Sequence, residues 1–171
     1  MSKVLIVYYS RKGENYWNGS IHNLKKGNTE IAAEYIQNAV GGDLFEIDTV
    51  KTYSTDYTKC TEEAMAEKKA TARPELKEIP KSIDEYDTIF IGFPSWWGTM
   101  PMAMFTFLEN FDFSGKTLIP FCSNEGSGLG SSVNDLKNAC KTANVKAGLS
   151  IHGSETENLE STIANWAKNS I

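Results

Sequence analysis

The chain of 171 residues carries a formal charge of −5, with 40% hydrophobic and 23% charged residues. That length can bury one sizeable core and fits a single domain over 1–171, while the acidic balance argues against a nucleic-acid partner, whose phosphates demand basic surface. No apolar run approaches the roughly 20 residues of a membrane span, and the scattered Cys60, Cys122 and Cys140 fit neither a disulfide framework nor a zinc site, so a reducing cytoplasm is expected.

Met1-Ser2-Lys3 leads straight into the first apolar run, Val4 to Tyr9, so no leader segment is expected. That run is β-branched and aromatic without polar alternation, the pattern of a strand buried on both faces. Residues 11–26 follow as an inserted loop, long enough to be functional or mobile. At Gly27-Asn28-Thr29-Glu30 a helix begins, with Asn28 or Thr29 as cap and Glu30 suited to its positive end. Ile31, Tyr35 and Ile36 keep helical spacing until Gly41-Gly42, and Leu44 to Ile47 form a second strand.

From Thr58 to Ala72 the Ala/Glu/Lys-rich pattern predicts a solvent-exposed helix ended by Pro74. Thr88 to Phe93 is a third strand, and Pro101 opens a helix carrying Met102, Phe105 and Leu108. Thr117 to Cys122 is the fourth strand, followed by a helix around Val133, Leu136 and Cys140. Ala147 to Ile151 is the fifth. Ser154-x-x-Glu157 reads as a capping box for a last helix with Leu159, Ile163 and Trp166 inward. Strands alternating with helices predict an α/β, doubly wound parallel sheet.

Three of these strands end in segments suited to an anion or a planar ring. In an open α/β sheet, ligands bind beyond the carboxyl ends of the strands. The first end carries Ser10 and then Gly27-Asn28-Thr29 at a helix N-terminus, whose free amides suit a phosphate. The second carries Pro94-Ser95-Trp96-Trp97-Gly98, where one indole is expected toward a ligand and the other toward the core. Gly98 tolerates positive φ and lets the neighbouring peptide reorient. The third runs through Ser123, Asn124, Glu125, Gly126, Ser127 and Gly128, a loop expected to offer backbone amides. Together they point to one phosphorylated aromatic cofactor. Cys122 reads as a small core residue and His22 and His152 as ordinary polar residues. No Ser-His-Asp, Cys-His or paired-carboxylate arrangement stands out.

With these segments in this order, the chain resembles the flavodoxin family along essentially its whole length. The resemblance implies a five-stranded sheet of order 2-1-3-4-5 and FMN as cofactor. It implies Ser10, Asn28 and Thr29 around the FMN phosphate, with Arg11 beside them, Trp97 as the stacking indole and Gly98 as a peptide-flip site. Ser123 to Gly130 stands where the family's third flavin loop belongs. Two departures are visible. Residues 11–26 interrupt a phosphate loop that is compact in typical flavodoxins. Gly and Ser occupy the third loop where the electron carriers place a tyrosine and acidic residues, so Tyr16 or Trp17 of the insertion becomes the candidate cover for the open flavin face.

Three functions are compatible with this reading. The first is a low-potential one-electron carrier, monomeric and working with redox partner proteins. The second is an NAD(P)H-dependent FMN or quinone reductase, which the run Pro94 to Pro101 also resembles and which more often forms a homodimer. The third is an interaction or regulatory module of the same fold that has lost its cofactor.

Overall fold

Alternate side chains of the first strand point to opposite faces, and both sets are buried. Val4, Ile6 and Tyr8 join one core and Leu5, Val7 and Tyr9 the other. The computed structural model describes residues 3–171; Met1 and Ser2, where the sequence suggests no leader, lie outside the described residues. The strands are β1 (Lys3–Tyr8), β2 (Gly13–Trp17), β3 (Ser20–Leu24), β4 (Asp43–Glu46), β5 (Tyr86–Pro94), β6 (Thr117–Asn124), β7 (Asn144–Val145) and β8 (Leu149–His152). The helices are α1 (Asn28–Val40), α2 (Tyr57–Lys69), α3 (Met102–Glu109), α4 (Ser132–Ala139) and α5 (Glu160–Ser170), with a 3-10 helix over Gly153–Asn158.

The main sheet runs β4-β1-β5-β6-β7, with β8 also on β6, and every pairing in it is parallel. This is the expected 2-1-3-4-5 order, but the fifth position is filled by two short strands instead of one over Ala147 to Ile151. Pro120 explains the break. Lys146 N–H donates to the Leu118 carbonyl (2.9 Å), so the next donor toward this edge would be residue 120, which has no N–H. The ladder resumes only at Phe121 opposite Leu149.

On one face α1 and α5 pack through Ala32, Ala33, Ile36, Ile163 and Ala167. Small residues let α1 lie close to the sheet, and Trp166 sets its edge against Phe90 and Phe121. The other face is covered through Cys60, Met104, Phe107 and Leu136, from α2, α3 and α4. The helix over 57–69 is therefore not the exposed element its composition suggests. Cys60, Ala64 and Glu67 form its buried stripe, and a stripe made of a thiol, a methyl and a carboxylate gives almost no hydrophobic signal. Glu67 is tolerated inside because its carboxylate accepts from the Tyr53 hydroxyl (2.6 Å) and Lys51 (3.1 Å).

Two local expectations are corrected at helix ends. Neither Asn28 nor Thr29 caps α1; Gly27 is the N-cap, and the Ser10 hydroxyl accepts from Glu30 N–H (3.1 Å) instead. Ser154 and Glu157 form no capping box, because they sit inside the 3-10 helix, where Ser154 N–H donates to Glu125 (3.1 Å).

The largest correction concerns residues 11–26, which form an antiparallel hairpin, β2 against β3, rather than an irregular loop. Asn18 (φ 48°) and Gly19 (φ 91°) make its turn, and Asn-Gly between two short strands is a strong hairpin signal. Gly13 pairs with Leu24, so the hairpin leaves and rejoins the domain at neighbouring points. Deleting residues 12–25 is expected to leave the main sheet folded, with near-UV circular dichroism and a cooperative melt preserved; an insoluble or non-cooperative product would show that the hairpin is part of the folding unit.

Candidate functional site

The carboxyl ends of β1, β5 and β6 meet around a cavity of about 380 Å³. From the first end it is lined by Arg11, Asn28 and Thr29, and from the second by Pro94, Ser95, Trp96 and Trp97. Ser123, Asn124 and Glu125 come from the third. Ser10, Gly98, Gly126 and Gly128 are not in the lining.

The first end is built around the start of α1. A helix start leaves backbone amides without intrahelical acceptors. Ser10 takes that of Glu30, and those of Asn28 and Thr29 remain beside the cavity. The chains approach so closely here that a Cβ on Gly27 would lie 2.1 Å from Ser10 Oγ and 2.6 Å from the Arg11 carbonyl oxygen. Only glycine fits. Asn28 is buried, and its Oδ1 has no hydrogen-bond partner among the described residues. Arg11 is committed elsewhere: its Nε donates to the Glu14 carbonyl (3.0 Å) and its Nη2 to those of Ser54 (3.0 Å) and Thr55 (3.2 Å). Beside the tethered Arg11, this corner would present an anion with neutral amides, hydroxyls and the positive helix end. The Thr29 and Ser123 hydroxyls, 2.7 Å apart, tie the first end to the third.

At the second end both indoles line the cavity but differ in exposure. Trp96 turns inward and meets Tyr9 and Tyr53 edge-on, with ring centroids 5.1 and 5.2 Å away. Trp97 is 47% exposed beside the cavity. Its backbone sits at φ 59° and that of Gly98 at φ 80°. For a bulky residue the left-handed region costs about 1–2 kcal/mol, so something must hold Trp97 there. Helix α2 supplies two anchors: Trp97 Nε1 donates to the Thr61 carbonyl (2.8 Å), and Lys68 Nζ donates to the Trp97 carbonyl (2.7 Å). From the other side, Ser131 N–H donates to the Gly98 carbonyl (2.8 Å).

The third end is more closed than its composition suggests. Gly126 and Gly128 N–H both donate to Asn124 Oδ1 (3.0 and 2.9 Å), so these amides serve the loop itself rather than facing the cavity. Both Glu125 carboxylate oxygens are also engaged, Oε1 by Asn18 N–H (2.6 Å) and Oε2 by Ser154 N–H (3.1 Å) and His152 Nε2 (3.2 Å).

The remaining wall comes from residues outside the three strand ends. The hairpin adds Asn15 and Tyr16, and α2 adds Tyr57, Cys60, Thr61 and Ala64. Tyr16, one of the two aromatic candidates in the insertion, lies 6.2 Å from the Tyr57 ring. Trp17, the other, turns toward His22 and is outside the lining. The α2 residues were invisible in sequence because their helix resembled a solvated surface.

Residues 21–170 match the family model of flavodoxin. The chain belongs to the flavodoxin family. It is similar to a candidate flavoprotein of Bacteroides eggerthii, 30% identical over 99% of this chain and 98% of that one, with a TM-score of 0.79. A second candidate flavoprotein, from Bacteroides uniformis, is 31% identical over 98% of each chain, with a TM-score of 0.73. The flavoprotein of Lactobacillus acidophilus solved in complex with FMN is 23% identical over 92% of this chain and 98% of that one, with a TM-score of 0.66, and shares the fold. No curated protein sequence matches the chain.

In this flavodoxin-family protein the cysteines are buried and unbridged. Burial pushes the Cys122 thiol up to about 12 and the Cys140 thiol up to about 11, and also raises that of Cys60. A raised pKa lowers the thiolate fraction at any given pH, and the thiolate is the reactive form. At pH 8 the native protein is therefore expected to be inert to a thiol-specific chromogenic disulfide, with Cys60, Cys122 and Cys140 reacting only after denaturation. Rapid labelling of native Cys60 would mean that the cavity wall opens to solvent.

Proposed function

We propose that the protein binds FMN and works as a low-potential one-electron carrier between redox partners. The observation that carries the reading is one cavity holding both kinds of contact the cofactor needs. A cradle of amides and hydroxyls suited to an anion stands at the start of α1, and the exposed Trp97 indole is held beside the same cavity. The unpartnered buried Oδ1 of Asn28 and the glycine-only approach at Gly27 also fit a bound polar group.

FMN supplies the redox chemistry when bound. The protein contributes position and environment. Ser10 Oγ, by fixing the first turn of α1, orients the Asn28 and Thr29 amides toward the phosphate. Ser95, Ser123 and Asn124 offer polar groups for the sugar chain and ring edge, and Trp97 offers a flat apolar face. The −5 net charge of the chain opposes the build-up of negative charge on the cofactor and favours a low potential.

The reductase reading stays second. Its support is the extent of the cavity, which continues past the strand ends along Tyr57, Cys60, Thr61 and Ala64, where a second planar molecule has a wall.

Titrating the apoprotein with FMN and then reducing the complex anaerobically in steps tests both. Saturable binding with two separated one-electron potentials is expected, with no NAD(P)H oxidation unless a reductase is added. Trp97→Ala should weaken FMN binding by about 0.5–1.5 kcal/mol, the worth of an aromatic stack. Unaided turnover with NAD(P)H and a quinone would replace the carrier with the reductase, and failure to bind FMN would remove both.

A further inference from the structure

The hairpin of β2 and β3 has no core of its own. It is a two-stranded sheet separate from the main one, and such a sheet is marginal in water without outside support. Its cross-strand pair Tyr16 and Ile21 is 45% and 49% exposed. Polar tethers hold it, and their placement is informative. At its base, Arg11 reaches the carbonyls of Ser54 and Thr55. Further along β2, the Glu14 carboxylate accepts from Tyr57 N–H at the start of α2 (2.6 Å). Past the end of β2, Asn18 N–H donates to Glu125 Oε1 (2.6 Å).

Tyr57 and Glu125 both line the cavity, and they belong to different parts of its rim, α2 and the loop after β6. Strand β2 is therefore fastened at Glu14 to one side of the cavity and, just beyond Trp17, to another side at Asn18. Between these anchors, Asn15 and Tyr16 line the cavity. Both anchors pair a carboxylate oxygen with a backbone N–H at 2.6 Å.

We infer that β2 is a strap across the cavity mouth, that Tyr16 is the aromatic cover on the ligand, and that Glu14 and Glu125 are the catches holding the strap shut. The inference rests on the reading that the cavity holds FMN. It assigns Glu125 a positioning role through the hairpin tip, distinct from a direct contact with the cofactor. It also explains why a glycine- and serine-rich third loop suffices here: the aromatic cover comes from the insertion.

The test uses the full chain with Glu14→Ala, Glu125→Ala and Tyr16→Ala, each checked for a native circular dichroism spectrum. Two readouts are taken: trypsin cleavage at Lys12, Lys25 and Lys26 of the apoprotein, and FMN dissociation followed by the return of flavin fluorescence on dilution. Each catch variant is expected to speed cleavage at the base of the hairpin and FMN loss by about tenfold, the effect of one charge-assisted hydrogen bond. Tyr16→Ala should leave the cleavage pattern intact and speed FMN loss about fivefold, in the range of one aromatic contact. If Glu125→Ala speeds FMN loss without exposing the hairpin, Glu125 acts on the cofactor directly and the strap is wrong. If the wild type binds FMN and Tyr16→Ala releases it at the wild-type rate, the strap is likewise overturned while the cofactor reading stands. If the wild type binds no FMN, the cofactor reading fails and the role of Tyr16 fails with it.

Discussion

Parallel pairing of β1, β5 and β6 is the constraint on which the site depends. Because the three strands run the same way, their carboxyl ends arrive at one edge of the sheet. Burial on both faces keeps polar side chains out of the middle of those strands. Polar groups accumulate where the strands stop: Ser10 after β1, Ser95 after β5, and Ser123 and Asn124 at the end of β6. The Thr29–Ser123 hydroxyl bond closes this edge between the first and third strand ends. A ligand placed there meets groups whose positions are fixed by the core.

Within that frame, charge is handled sparingly. The basic residue nearest the anion corner, Arg11, holds backbone carbonyls of the 54–55 segment. Amides and hydroxyls are left to meet an anion, without a mobile ammonium among them. The aromatic element is fixed in the same spirit. Trp97 lies in a backbone region that bulky residues avoid, and anchors from α2 keep it there. Helix α2 thus acts as a second scaffold beside the sheet, holding the Trp97 loop through Thr61 and Lys68 and the hairpin through Tyr57 N–H. The buried Glu67, satisfied by Tyr53 and Lys51, helps seat that helix.

The architecture was legible where a single periodic signal decided the outcome. Apolar runs at Val4–Tyr9, Thr88–Phe93 and Thr117–Cys122 can be buried only as strands covered on both faces, and the helices between them force a parallel, doubly wound sheet. The strand-end segments were legible because their Ser, Thr, Asn, Gly and Trp residues interrupt strong apolar patterns. The Asn18-Gly19 turn was equally written in the sequence. By contrast, the break between β7 and β8 follows from Pro120 on the neighbouring strand, which no pattern within 144–152 reveals.

The sequence by itself determined the α/β class and three of the segments that face the cavity, because hydrophobic periodicity and turn chemistry are local, while the strand order followed from the family resemblance. Only the tertiary structure decided which groups remain free to meet a ligand. The Gly126 and Gly128 amides are taken by Asn124, Arg11 by the 54–55 carbonyls, and Glu125 by Asn18, His152 and Ser154. The wall formed by Tyr16, Tyr57, Cys60 and Thr61 likewise appears only once the hairpin and α2 are docked. Whether a polar group is available depends on partners far away in the chain, and long-range pairing leaves no periodic trace.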